Sequence, residues 1–214
     1  MKLHRTSKDL ALMGMFAAII FVLAFTPIGF IQLPFIKATI IHIPVIIGSI
    51  LLGAKFGGVL GFLFGLTSLI NNTMSPALSS FAFSPLIPIP GTEHGNPLAL
   101  IVCFIPRILV GVFPCLVYNG LKKILKNKAE AISLTISGII GSLTNTLLVM
   151  HLIFLFFRDS YADVRNIALD AVYGVILSII AFNGIPEAIV AGICTAAVCV
   201  PIKVIQKNNQ KHKN

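Results

Sequence analysis

The sequence predicts an all-α integral membrane fold, a bundle of six transmembrane helices with both termini in the cytoplasm. Three observations predict it. First, the 214 residues are 57% hydrophobic and 11% charged, against about 25% charged in a soluble domain, and mean hydropathy is +0.97. Second, apolar runs of membrane-crossing length recur from end to end, which leaves a single membrane domain over 1–214. Third, the basic residues are segregated. Lys2, Arg5 and Lys8 precede the first run, and Lys55 follows the second. Lys122, Lys123, Lys126 and Lys128 follow the fourth, and Lys203, Lys207, Lys211 and Lys213 end the chain. With six crossings these twelve share one side, and only Lys37, Arg158 and Arg165 share the other, which places both termini inside. The net charge of +9 is therefore a topology signal, and it argues against a nucleic-acid partner.

The first span is expected at 9–30, running outward. Its basic start and apolar run look like a signal peptide, but no small-x-small cleavage site follows Phe25, so it is expected to remain as a helix. An outer link at 31–37 leads to span two at 38–54. A tight inner turn at Lys55-Phe-Gly-Gly58 leads to span three at 56–71. Gly53, Gly57, Gly58, Gly61 and Gly65 suggest close packing of spans two and three. The outer loop 72–96 is proline-rich, yet Phe81, Phe83, Leu86, Ile87 and Ile89 make it too apolar for a free linker; it reads as a lid or binding loop. Span four is expected at 98–121, span five at 129–157 and span six at 185–206. The apolar stretch 164–182 reads as an outer helix, because a seventh crossing would put the Lys-rich C-terminus outside.

Arg107 stands deep in the fourth apolar run, where insertion of an arginine costs roughly 2.5–3.5 kcal/mol and by default marks function. Read as the anchor for an anionic small molecule, it lies about 14 Å from the outer end of its span, at 1.5 Å per residue. Asn145 in Ser142-Leu-Thr144-Asn-Thr146 lies roughly 24 Å from the inner end of span five, at a similar depth. His42, Asn71, Asn183 and Glu187 stand toward the outer ends of three further spans. Polar groups from five segments thus converge in the outer half, and Arg107, Asn145, Glu187, His42, Asn71, Asn183 and Thr144 are the candidate substrate-binding residues. Each also has a plainer structural reading: an Arg107–Glu187 bridge, an interhelical bond from Asn145, a helix-start carboxylate at Glu187, packing histidines. Ile43-Pro44, Ile105-Pro106 and Ile185-Pro186 repeat a dipeptide in the three inward-running spans. Proline frees a carbonyl one turn earlier, so helix ends and loosened backbone are expected around one outward pocket.

Cys103, Cys115, Cys194 and Cys199 lie in apolar runs without metal-ligand spacing, so neither disulfide, metal nor cofactor is implied. No GxxxxGK[ST] phosphate loop is present, nor any hydrolase signature, so the chain is not expected to be an enzyme. Ala11, Gly14 and Ala18 place small residues on one face of span one, suited to close contact with another helix.

The segments LALMGMFAAIIFVLAFTPIG, IHIPVIIGSILLGAKFGGVLGFLFGLTSLI, IPRILVGVFP, GSLTNTLLVM and NGIPEAIVAG together resemble the S component, the substrate-binding subunit, of an energy-coupling factor (ECF) vitamin transporter, most of all the pantothenate type. The resemblance implies a six-helix S-component bundle in the cell membrane that takes a vitamin from outside. It implies a partner module of one transmembrane coupling protein and two ATPase subunits, with Gly14 and Ala18 matching the family's contact face on the first helix. It also implies that Arg107 and Asn145 contact the ligand. Chemistry agrees with pantothenate, whose carboxylate suits Arg107 and whose amide and hydroxyls suit Asn145. Biotin, folate and hydroxymethylpyrimidine stay open as ligands, and a solitary proton-coupled carrier titrating through Glu187 stays open as a mechanism.

Overall fold

The structure is a computed structural model that describes residues 7–32, 37–125 and 129–211. Lys2, Arg5, Lys126, Lys128 and Lys213, assigned above to the inner side, lie outside the described residues, as does the middle of the 31–37 link.

Helix α1 spans Ser7–Phe25 and is followed by a 3₁₀ turn at Pro27–Gly29. The first span therefore ends before residue 30. The expected link is instead a short antiparallel hairpin, β1 (Phe30–Gln32) with β2 (Lys37–Thr39), in which Phe30 pairs with Thr39. Helix α2 covers only His42–Leu52, shorter than the expected 38–54. At 1.5 Å per residue it is roughly 16 Å long, about half a hydrocarbon core. Its brevity has a physical reason: every residue from His42 to Ile50 is buried, so it stands inside the bundle and need not reach a headgroup layer.

Gly53 alone separates α2 from α3, which spans Ala54–Met74. Its φ of +95° is the left-handed backbone that glycine adopts freely, and it makes the turn between the two helices. Residues 55–58 are not the turn, as expected, but the first turn of α3. The glycines of α3 also do more than join it to α2. A Cβ on Gly57 would strike the Gly111 carbonyl, and one on Gly61 would strike the Arg107 carbonyl and lie 2.8 Å from Ile108 Cα. A Cβ on Gly65 would lie 2.8 Å from the Phe104 ring. The tight seam is thus chiefly between α3 and α4 (Leu98–Ile124), and only Gly57, beside Ser49, also meets α2.

Helix α5 runs Glu130–Arg165 with a break at Phe157, φ −134°, where its ring packs edge-on against Phe81 of the outer loop. It ends on Asn166 in left-handed conformation. The outer helix expected at 164–182 is not separate. Residues 164–165 finish α5. Helix α6 (Val172–Ile179) then runs through a π-helical turn at Ile180–Gly184 straight into α7 (Ile185–Lys211). A Cβ on Gly184 would lie 3.0 Å from Thr146 Cγ2, so the bare glycine backbone lets this turn lie close against α5. Among the described residues, five helical stretches are long and apolar enough to cross a membrane: α1, α3, α4, α5 and Val172–Gln206.

Two buried clusters hold the bundle. One joins α1, α2, α3 and α4 through Phe16, Ile20, Ile46, Leu60 and Val110. The other joins the outer loop to α4, α5 and α6 through Phe81, Val102, Ile153 and Ile176. A polar cavity lies among these helices beside β2 and Phe83 of the loop before α4.

Candidate functional site

The site is built around a proline. Pro106 lies inside α4 and has no N–H, so the carbonyl of Val102, four residues earlier, loses its helical partner. The Arg107 side chain fills that role, its Nη1 donating to the Val102 carbonyl at 2.9 Å. A freed carbonyl thereby meets a buried cation in one charge-assisted bond, worth about 1.5–3 kcal/mol. The guanidinium carbon also lies 4.9 Å from the Phe83 ring centre and 5.7 Å from that of Phe64. Arg107 is only 7% exposed, and its Nε has no hydrogen-bond partner among the described residues. No carboxylate there pairs with it.

Arg107 opens on a cavity of about 200 Å³ among α1, α3, α4, α5 and α7. Its wall includes Asn71 and Thr67 from α3, Asn145 from α5 and Glu187 from α7. Thr39 of β2 and Phe83 of the outer loop complete the polar and aromatic parts of the wall. Asn145 Oδ1 is buried without a partner among the described residues, an acceptor that calls for a donor. Glu187 Oε1 accepts the Thr39 backbone N–H at 2.8 Å. The Asn71 amide donates to the Ala24 carbonyl at 3.5 Å, a long contact that ties α3 to α1. The volume lies below the roughly 300–1,000 Å³ of drug-sized pockets and suits a small molecule rather than a flavin.

Four of the sequence candidates, Arg107, Asn145, Glu187 and Asn71, are brought together on this wall. Three are not on it. The Thr144 hydroxyl is turned back on its own helix, donating to the Ile140 carbonyl at 2.7 Å. Asn183 is half-buried in the π-helical turn, off the cavity. His42 is 1% exposed, and among the described residues no group completes a hydrogen bond to either ring nitrogen, although the Thr39 backbone is beside it.

Sequence reasoning passed over Phe64, Phe83, Thr67 and Thr39. Only Phe83 left a signal, as an apolar residue in a loop too greasy to be a linker. That loop is pinned, not loose: Ser80 Oγ donates to Asn72 Oδ1 at 2.7 Å, and Thr73 and Ser84 hydroxyls meet at 2.7 Å. These bonds seat Phe83 over the guanidinium.

Ala11, Gly14 and Ala18 lie together on an exposed face of α1, and nothing comes within 4 Å of a Cβ built on Gly14. The whole is a membrane-embedded helical bundle with a small, cation-bearing pocket at one end and an open small-residue face on its first helix, the form of a small-molecule capture subunit.

The family model for the ECF transporter, substrate-specific component, matches residues 8–199, and the chain belongs to that family. It is similar to the pantothenic acid transporter PanT of Lactococcus lactis subsp. cremoris (strain MG1363), 40% identical over 205 residues that cover 95% of this chain and 97% of that protein. It is also similar to the pantothenate transporter PanT of Leuconostoc mesenteroides subsp. mesenteroides, 32% identical over 211 residues covering 93% and 95%. The chain is thus the S component of an ECF-type importer, a multi-pass plasma-membrane protein and not an enzyme.

Proposed function

We propose that this S component captures pantothenate from outside the cell and delivers it inward when an ECF module of one transmembrane coupling protein and two ATPase subunits hydrolyses ATP. One observation carries the reading: a buried arginine with no carboxylate partner among the described residues shares a small cavity with an amide oxygen that has no partner among them either. Pantothenate supplies both complements, a carboxylate for Arg107 and an amide N–H or hydroxyl for Asn145. Asn71 and Glu187 belong to the same wall. The names of the two relatives support the choice of vitamin.

The same reading takes six crossings, with α2 as the short inner one and both termini in the cytoplasm. The positions of Lys122 and Lys203 support it, since both ammonium groups lie over the Tyr118 ring, at 5.8 and 5.1 Å, and so share one end of the bundle. The exposed face of Ala11, Gly14 and Ala18 then meets the coupling protein, and the remaining apolar surface meets lipid. The test is to purify the protein, identify any co-purified small molecule by mass spectrometry, and titrate pantothenate, biotin and folate by calorimetry. Pantothenate alone binding tightly supports the reading; preference for another carboxylate vitamin replaces the ligand and keeps the class.

A further inference from the structure

Glu187 and Arg107 line one cavity and do not pair. One carboxylate oxygen is engaged elsewhere, by the Thr39 backbone N–H at 2.8 Å, across 148 positions of sequence. This bond has structural weight. A two-stranded hairpin is marginally stable by itself, so the place of β2 depends on an outside anchor. The Glu187–Thr39 bond ties β2 to α7, while the His42 ring of α2 also lies beside the Thr39 backbone. The platform beneath Glu187 is firm, because Gly184 packs on Thr146 and Glu187 stands in the first turn of α7. Thr39 is itself part of the cavity wall.

We propose that Glu187 is a positioning residue: it acts through Thr39, fixing the β2 side of the cavity, and not by touching the bound vitamin. This rests on the reading of the cavity as the vitamin site. The task needs an acceptor oxygen and no charge, so glutamine performs it and alanine does not. It also explains how an acid shares a pocket with Arg107 without neutralising it: the amide engages the carboxylate and leaves the guanidinium to the ligand.

The experiment compares wild type, Glu187→Gln and Glu187→Ala as full-length protein in detergent, by hydrogen–deuterium exchange over residues 37–40 without ligand and by pantothenate binding kinetics. Glu187→Gln is expected to keep the exchange protection and to hold affinity within about threefold, since a neutral acceptor replaces a charged one. Glu187→Ala is expected to speed exchange at the Thr39 amide and pantothenate release, each about tenfold. Loss of affinity in Glu187→Gln as large as in Glu187→Ala overturns the proposal, because the charge itself then faces the ligand. Unchanged exchange in Glu187→Ala overturns it too. Should Glu187→Ala not fold, Thr39→Pro deletes the donor instead, and unchanged release from that variant counts against the idea. If wild type binds no pantothenate, the vitamin reading falls, while ligand-free exchange still judges the role of Glu187.

Discussion

Gly57, Gly61 and Gly65 on α3 and Ala11, Gly14 and Ala18 on α1 are small residues three or four apart along one helix face, and they meet opposite surroundings. On α3 every one is filled: α4 lies so close that a single methyl on Gly61 would strike the Arg107 backbone. On α1 a methyl on Gly14 would meet nothing, and its neighbours Met15 and Val22 are 49% and 56% exposed. In lipid, small residues serve to let backbones approach. A filled stripe has done that within the chain, where it fixes the height of Arg107 beside the cavity. An open stripe keeps the same capacity for a helix from another protein. Spacing alone therefore announces a contact without saying whose.

The largest effect is expected from Gly61→Val. Overpacking costs typically about 1–3 kcal/mol, and here the new side chain pushes on the arginine's own backbone. Thermal unfolding in detergent and calorimetry should show a lowered midpoint and lost pantothenate binding; a variant that binds normally would mean that the seam does not set the site. Gly14→Trp is expected to act at the open stripe only, leaving binding intact and abolishing uptake in whole cells. Normal co-purification with the coupling protein would show that this face is lipid-facing and nothing more. Arg107→Ala removes a charge-assisted contact worth about 1.5–3 kcal/mol, so affinity should fall roughly ten- to hundredfold. Calorimetry that finds affinity unchanged removes the arginine from the ligand. The smallest change is expected at Gly174 of α6, where a Cβ also meets nothing. Gly174→Ala should leave binding and uptake alone and raise helix stability by up to about 1 kcal/mol; a loss of uptake would mean a second open face matters.

Much of this site was legible before the fold was seen. Arg107 stands out because nothing but function or a partner offsets a guanidinium in hydrocarbon, and Asn145 because its amide shares that depth. The link between Pro106 and Arg107 was half visible: proline frees a carbonyl, but only the folded helix shows the next residue reaching back to take it. Thr144, Asn183 and His42 show the limit of depth as a guide. They stand at the right height and turn elsewhere, since height is a matter of residue count while direction depends on which neighbours fill the remaining angles. Phe64 left no sign of a site role, and Phe83 only that of an apolar residue in a binding loop, for the converse reason: an aromatic ring counts as packing until a cation is found beside it.

By itself the sequence determined the solvent, the helical class and the distribution of charge, because hydrophobic runs and the bias of lysine act through summed transfer energies that need no partner. Tertiary structure alone decided that α2 is a short buried helix, that 172–184 continues into the last span, and that the α3 glycines close on α4. It also decided that Glu187 holds a backbone amide instead of bridging to Arg107. Each of these depends on steric fit or a single hydrogen bond between residues far apart in the chain, and such short-range forces have no signature in local composition.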